Sequence, residues 1–224
     1  MSGSIIRIKS RYDDKNLEIK INVADIEDPT SEESKINPKK HDLGIILVHP
    51  YPPLGNCFVA NVIISSSNKR FELPGVSRIV LVGYSFGSMV VSGVDYSDYG
   101  SLDIKSVFIS YPYSILWVLS SLNGKFYLEK IKRNLKHNLS KADQNHIQNS
   151  LIFISGTQDN FTSFENFKKL AEETKEYVKT LSQSDSSLDQ KIVKDEYLTN
   201  CNHFYIGREG ELSSRLIELI FNDE

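Results

Sequence analysis

Residues 78–87 read Arg-Ile-Val-Leu-Val-Gly-Tyr-Ser-Phe-Gly, and this stretch decides the fold. Its apolar run is typical of a strand that is covered on both faces, as in a parallel sheet. Gly83 and Gly87 flank Ser85 by two residues on each side, so they permit a tight turn in which larger side chains would collide. Met89 and Val91 then continue at helical spacing. We therefore predict a strand, a sharp turn that presents Ser85, and a helix.

Further apolar runs and amphipathic stretches alternate on both sides of this unit. Strands are predicted at Leu43–Val48, Lys105–Ser110, Ser150–Ser155 and Lys191–Leu198. Helices are predicted near Phe58–Ile63, at Phe164–Leu181 and at Glu211–Phe221, the last with Leu212, Leu216, Leu219 and Ile220 facing inward. Strands that alternate with helices predict an α/β fold with a mostly parallel sheet and helices on both of its faces.

The N-terminal part differs from this pattern. Ile5–Lys9 and Leu17–Val23 are separated by the turn-rich Asp13–Asn16, which predicts an antiparallel hairpin at a sheet edge. Residues 25–42 are polar and contain two prolines, so we expect a surface connection. At 224 residues the chain fits one domain, 1–224, with a candidate small cap region over 112–149.

Composition excludes several classes of protein. A formal net charge of −3 gives no overall attraction to nucleic acid. The first residues hold no signal-peptide core and no apolar run is long enough to cross a membrane, so we expect a cytoplasmic protein without an integral membrane segment. Two cysteines, Cys57 and Cys201, make neither a disulfide framework nor a zinc site by themselves. We expect no metal and no organic cofactor.

The chemistry that Ser85 would carry needs a base and an acid, in the chain order serine, acid, histidine for this type of sheet. Asp159 and His203 each follow a predicted strand, at the edge where open α/β sheets place their ligands. Each has a simpler interpretation, as a helix-capping carboxylate and as a loop histidine. The turn at Ser85 has one too, as a glycine-rich phosphate cradle. Their order and spacing favour a catalytic triad.

A serine nucleophile also needs two N–H donors for the oxyanion of its transition state. The backbone amide of Phe86, directly after Ser85, is one candidate, and the amide of Tyr51 in the loop His49-Pro50-Tyr51 is the other. Pro50 has no N–H to donate. His49, at the end of a predicted strand, is interpreted as a residue that holds this loop in shape, with a role as a second base as the alternative.

Together, four short blocks resemble a known family. These are His49-Pro50-Tyr51-Pro52 with Gly55-Asn56, Gly83-Tyr84-Ser85-Phe86-Gly87-Ser88, Gly156-Thr157-Gln158-Asp159 and His203-Phe204-Tyr205-Ile206-Gly207-Arg208. They are similar to the HPxP-, GxSxG-, GxxD- and HFxxGR-like blocks of the small, lidless, dienelactone-hydrolase-like branch of the α/β-hydrolase superfamily. The resemblance implies a triad of Ser85 as nucleophile, Asp159 as acid and His203 as base.

One departure from that family concerns the segment before the turn. Only 27 residues separate Gly55 from Gly83, where the family has a further strand, a glycine-rich loop and a helix. We therefore expect one strand–helix unit to be missing before Ser85. Such a loss would leave one wall of the pocket incomplete.

These patterns predict a serine hydrolase of the carboxylesterase or thioesterase type, which cleaves an acyl bond of a small-molecule substrate through an acyl-enzyme. The alternative is a catalytically silent relative that serves as a binding or scaffolding protein. The basic stretch 125–141 is interpreted as a solvated helix face, with attraction to an anionic substrate or a membrane surface as the other possibilities.

Overall fold

The computed structural model describes residues 3–9, 16–22, 43–48, 61–63, 78–99, 102–141, 150–181 and 192–221. Within them the strands are β1 (Gly3–Lys9), β2 (Asn16–Asn22), β3 (Leu43–Val48), β4 (Asn61–Ile63), β5 (Arg78–Tyr84), β6 (Asp103–Ile109), β7 (Leu151–Gln158) and β8 (Val193–Asn202). The helices are α1 (Phe86–Ser92), α2 (Leu116–Leu119), α3 (Gly124–Lys141), α4 (Phe164–Leu181) and α5 (Glu209–Phe221). Short 3₁₀ turns cover Tyr96–Tyr99 and Tyr113–Ile115. None of the helices in these ranges combines the length and the apolar character that crossing a membrane requires.

All of these strands belong to one sheet, in the order β1-β2-β4-β3-β5-β6-β7-β8. Five neighbours, β3, β5, β6, β7 and β8, run parallel. The predicted strands and helices of this part lie within a few residues of their observed bounds, and α4 has the predicted ones. The predicted fold class, a mostly parallel α/β sheet, is thus confirmed.

Side chains of the central strands alternate between two apolar layers, one on each face of the sheet. Leu81, Phe108 and Phe153 contact the layer that is completed by α1, α2, α3 and α4. Val82, Val107 and Ile154 contact the opposite layer. There α5 packs with its predicted inward residues, Leu212, Leu216, Leu219 and Ile220. Because both faces are covered, the strands have no polar side to expose, which explains their continuous apolar runs.

The N-terminal hairpin is also confirmed. β1 pairs antiparallel with β2, from Gly3 opposite Asn22 to Lys9 opposite Asn16, and β1 is an edge strand. The predicted surface connection over 25–42 lies outside the described residues.

The helix predicted near Phe58–Ile63 is wrong in its second half, because Asn61–Ile63 forms β4. Valine and isoleucine at these positions suit a strand, and a short apolar run does not distinguish the two structures by its spacing. β4 pairs parallel with β2 and antiparallel with β3. The sequence predicts that one strand–helix unit is missing before Ser85. β4 supplies a strand there, although of only three residues, and the described residues between β3 and β5 include no helix.

Within the candidate cap region, α3 packs its Ile131 and Leu135 into the same apolar layer as α1 and α4. Asn134 fixes the helix further, since its side chain accepts the Tyr96 N–H and donates to the Val94 carbonyl. The division of the chain into one domain with a small cap stays a prediction.

Candidate active site

Ser85 occupies the turn between β5 and α1 in a strained conformation. Its φ is 54° and its ψ −120°, a region that residues other than glycine rarely adopt. The turn is held by backbone hydrogen bonds, from Ser85 N–H to the Ile109 carbonyl at 2.8 Å and from Ser88 N–H to the Ser85 carbonyl at 2.9 Å. The Ser85 side chain makes no cap hydrogen bond to α1.

Gly83 is required by the tightness of this turn. A Cβ atom on Gly83 would lie 2.4 Å from the Cα of Ser88 and 2.6 Å from the carbonyl oxygen of Gly87. Both contacts are with backbone atoms, so no side-chain rotation could relieve them. The glycine that the sequence pattern singled out thus allows α1 to begin directly against β5.

The structure brings the three predicted triad residues together from distant parts of the chain. The Ser85 Oγ lies 2.9 Å from His203 Nε2, and His203 Nδ1 lies 2.7 Å from Asp159 Oδ2. Asp159 directly follows β7, and His203 directly follows β8. Because β5, β7 and β8 run parallel, the ends of these strands meet at one edge of the sheet, as expected.

Hydrogen bonds to Oδ1, the carboxylate oxygen that does not face His203, hold the side chain of Asp159 in place. Oδ1 accepts the backbone N–H of Phe161 at 2.8 Å and of Thr162 at 3.1 Å, which leaves Oδ2 for His203. Burial raises the pKa of Asp159, but the hydrogen bond and charge of His203, with hydrogen bonds from the Ser110 hydroxyl and the Phe161 amide, outweigh it. The net effect lowers the pKa, so the carboxylate is ionised when it faces the imidazole.

Gly156 allows β7 and β8 to approach closely where these two residues emerge. A Cβ on Gly156 would lie 2.1 Å from the carbonyl oxygen of Cys201. The strand register shifts between Gly156 and Gln158, which is a β-bulge or a similar irregularity. Bulges redirect the residues that follow them, and here the next residue is Asp159. Cys201 is buried, and burial raises the pKa of its thiol.

Ser110 contributes to the site, although the sequence did not single it out. It follows β6 with a φ of 49°, and its Oγ lies 2.9 Å from the Tyr205 hydroxyl. Its hydroxyl also hydrogen-bonds to Asp159 and so lowers the pKa of that carboxyl. A signal was present in the sequence: Ser110 ends a predicted strand between the strands that precede Ser85 and Asp159.

Aromatic side chains surround His203. The Tyr84 hydroxyl donates to the His203 carbonyl oxygen at 2.7 Å. Burial raises the pKa of Tyr84, so it remains a neutral donor. The ring centroids of Phe161 and Phe204 lie 4.5 Å and 5.3 Å from that of His203. Such packing restricts the orientation of the imidazole. The sequence assigned no role to these three residues, although Tyr84 and Phe204 adjoin Ser85 and His203 in the chain.

The candidate oxyanion donors are only partly described. Phe86 is the first residue of α1 and follows Ser85, which is the position that the donor role requires. Tyr51, Pro50 and His49 lie outside the described residues. Within the described ranges, no group of three or more His, Cys, Asp or Glu residues is placed to hold a metal ion.

Comparison with known proteins identifies the fold. No protein-family model matches the sequence, and no curated protein matches it. The structure is similar to Est1E from Butyrivibrio proteoclasticus, with a TM-score of 0.53 and 13% identity over 99% of both chains. It is equally similar to the esterase Pf2001 from Pyrococcus furiosus, with a TM-score of 0.53 and 14% identity over 98% of this chain and 92% of that one. A weaker similarity, with a TM-score of 0.45, is to an alpha-beta serine hydrolase homologue from Coxiella burnetii, at 16% identity over 80% of this chain and 84% of that one.

The chain therefore has the α/β-hydrolase fold. Its membership of that superfamily stays a prediction. The narrower resemblance, to the dienelactone-hydrolase-like branch, stays a prediction.

Proposed function

We propose that this protein is a serine hydrolase that cleaves a carboxylic ester, a thioester or a related acyl bond of a small-molecule substrate. The observation that carries the proposal is the continuous chain of hydrogen bonds from Ser85 through His203 to Asp159, at 2.9 and 2.7 Å. These are the contacts that a nucleophile, its base and an orienting acid require.

In the first half of the reaction, His203 Nε2 takes the hydroxyl proton of Ser85 while the Oγ attacks the carbonyl carbon of the substrate. Asp159 stabilises the imidazolium that forms. The backbone amides of Phe86 and Tyr51 are the donors proposed for the oxyanion. His203 then gives its proton to the departing alcohol or thiol, which leaves the acyl group on Ser85.

In the second half, water replaces the leaving group. His203 takes a proton from the water molecule while the water oxygen attacks the acyl carbon. It then returns a proton to Ser85 Oγ as the bond between Oγ and the acyl carbon breaks. The products are the carboxylic acid and the free enzyme. Every proton moves among these groups, the substrate and water, so the proposed cycle needs neither a metal nor an organic cofactor.

Backbone strain supports this proposal over a silent scaffold. The unusual dihedral angles of Ser85 cost on the order of 1–3 kcal/mol, and a protein that needed only the fold would gain stability by relaxing them. Ser85 also directs its hydroxyl at His203 rather than into a cap of α1. The feature that favours the silent alternative is the short segment between β3 and β5, in which the described residues form only the three-residue β4.

The proposal is tested with a fluorophosphonate probe, which phosphonylates activated serines. We expect the native chain to be labelled at one site, Ser85→Ala to be unlabelled, and Ser213→Ala, which changes an exposed serine on α5, to behave like the native chain. If the folded native protein is not labelled, the silent interpretation is correct. If Ser85→Ala is labelled to the same extent as the native chain, Ser85 is not the nucleophile.

A further inference from the structure

The turn between α2 and α3 exposes an unusual number of apolar side chains. We call residues 117–126 the apolar turn. Four of its side chains are exposed, namely Trp117, Val118, Leu122 and Phe126. Leu122 is 79% exposed and Trp117 59%. Exposed apolar patches mark sites that contact a protein partner or a membrane, and here four exposed apolar side chains lie within ten consecutive residues.

The backbone holds this turn in a defined shape, at some cost. Ser121 and Leu122 have φ values of 51° and 71°, in the left-handed region. The Leu122 N–H donates to the Trp117 carbonyl at 2.6 Å, and the Ser121 N–H to the Val118 carbonyl at 3.2 Å. A leucine in this conformation is strained, since glycine or asparagine adopts it more readily. The turn thus carries an apolar side chain outward where a polar residue would be more stable.

The apolar turn is anchored beside the candidate active site. Leu116, directly before it, is buried in the core. Just before α2, the Ser114 N–H donates to Thr162 Oγ1 at 3.4 Å, and the N–H of the same Thr162 donates to Asp159 Oδ1 at 3.1 Å. The segment that leads into the apolar turn is therefore hydrogen-bonded to the loop that carries Asp159.

The charge next to the apolar turn is strongly positive. Residues 112–141 contain six lysines or arginines and one acidic residue, Glu129, whereas the whole chain has a net charge of −3. Lys125, Arg133 and Lys136 are exposed along α3, and Arg133 also lies 3.7 Å from Asp95 Oδ2. Lys130 lies 5.7 Å from the centroid of the Phe126 ring and forms an ion pair with Asp95. Exposed apolar groups beside basic ones are complementary to an anionic lipid surface, with its acyl interior and its acidic headgroups.

We propose that the apolar turn and the adjoining basic face of α3 bind the protein to the surface of an anionic membrane. Trp117, Val118, Leu122 and Phe126 insert among the headgroups and the first acyl carbons, and Lys125, Arg133 and Lys136 contact acidic headgroups. This binding holds the triad edge of the sheet close to the bilayer. The proposal stands apart from the hydrolase activity, because lipid binding needs no reaction at Ser85.

The sequence provides its own probe, since Trp117 is the only tryptophan. Fluorescence is measured on Ser85→Ala, so that no lipid can be hydrolysed, with vesicles of phosphatidylcholine alone or with about 30% phosphatidylserine. We expect a blue shift and vesicle cosedimentation with the anionic vesicles and much weaker binding to the neutral ones. Because screening shortens the range of the charges, about 0.5 M salt should weaken the binding.

Two variants separate the apolar contribution from the charge. Leu122→Asn removes a side chain that would be buried in lipid, so it should lower the partition coefficient into the vesicles about tenfold or more. The variant should fold at least as stably as the parent, because asparagine tolerates the left-handed conformation. Ile217→Ser on α5, where Ile217 is 59% exposed on the other face of the sheet, should bind like the parent.

The double reversal Lys125→Glu with Lys136→Glu should weaken binding at least about 25-fold, because each cation near an anionic surface contributes about fivefold. The matched control is Lys168→Glu with Lys169→Glu on α4, which changes the net charge by the same amount at exposed positions. Equal losses from both double variants would show a nonspecific charge effect and would overturn the proposal.

Two further outcomes would also overturn it. One is the absence of a Trp117 blue shift with anionic vesicles at low salt. The other is a blue shift without lipid that grows with protein concentration, together with a dimer in sedimentation velocity, which would make the apolar turn an interface between two copies of this chain.

Discussion

Replacing Asp159 by asparagine should abolish almost all of the proposed activity and leave the fold in place. In the native site Asp159 Oδ1 accepts two backbone N–H groups, from Phe161 and Thr162, and Oδ2 accepts His203 Nδ1. An asparagine keeps its oxygen toward the two backbone donors, since the reverse orientation would set its NH₂ group against both of them. The amide nitrogen must then face His203.

The consequence for His203 follows from the donor and acceptor roles of its ring. The NH₂ group of the asparagine can only donate, so Nδ1 becomes the acceptor and the proton moves to Nε2. Nε2 then cannot take the proton of Ser85, which lies 2.9 Å away. A triad with the wrong tautomer loses about 10⁴-fold in kcat, which corresponds to about 5 kcal/mol of transition-state stabilisation.

The assay compares kcat for a small p-nitrophenyl ester between the native chain, Asp159→Asn and the control Asp98→Asn, an exposed carboxylate in the 3₁₀ turn at Tyr96–Tyr99. Thermal unfolding checks that the two backbone hydrogen bonds still hold the loop. The reasoning is refuted if Asp159→Asn keeps its fold and retains activity within tenfold of the native chain.

Three other outcomes are expected. Gly156→Ala should unfold at a lower temperature than the native chain, because its Cβ would lie 2.1 Å from the Cys201 carbonyl oxygen, and such overpacking typically costs about 1–3 kcal/mol. The control Gly210→Ala, whose Cβ would have nothing within 4 Å, should be neutral or stabilising, and equal melting temperatures of the two variants would contradict this prediction. Ser110→Ala should lower kcat/KM up to about tenfold and raise the pKa of the Asp159 carboxyl, because the Ser110 hydroxyl lowers it in the native chain. NMR titration of that carboxyl measures the change, and an unchanged pKa would exclude a positioning role. Because the folded-state pKa of Asp159 is lowered, ionisation of Asp159 stabilises the fold fully above the unfolded-state pKa of about 4, and this stability is lost as the pH falls below that value toward the folded pKa. The free energy of unfolding, measured by chemical denaturation, should therefore fall less with acid in Asp159→Asn than in the native chain. An identical pH dependence in the two chains would contradict the lowered pKa.

The prediction of the triad from sequence rested on order along the chain. Ser85, Asp159 and His203 each follow a strand whose apolar run is easy to identify, and parallel strands place their carboxyl ends at one edge. Adjacency at that edge could therefore be inferred without coordinates. The turn at Gly83 could also be predicted from the sequence, because the need for glycine there is a local steric one.

The sequence alone determined the parallel sheet, the bounds of α4, the inward face of α5 and the N-terminal hairpin, since each follows from a local periodicity. Only the tertiary structure decided that Asn61–Ile63 is a strand, because pairing with β2 and β3 overrides the spacing of a short apolar run. It also decided that the Ser110 hydroxyl lowers the pKa of Asp159. The end of a predicted strand marks Ser110 in the sequence, but only the pairing of β6 with β7 brings it to that carboxylate. The exposure of Leu122 belongs to the same class: composition marks a leucine as a core residue, and only the packing of α2 and α3 leaves it at the surface.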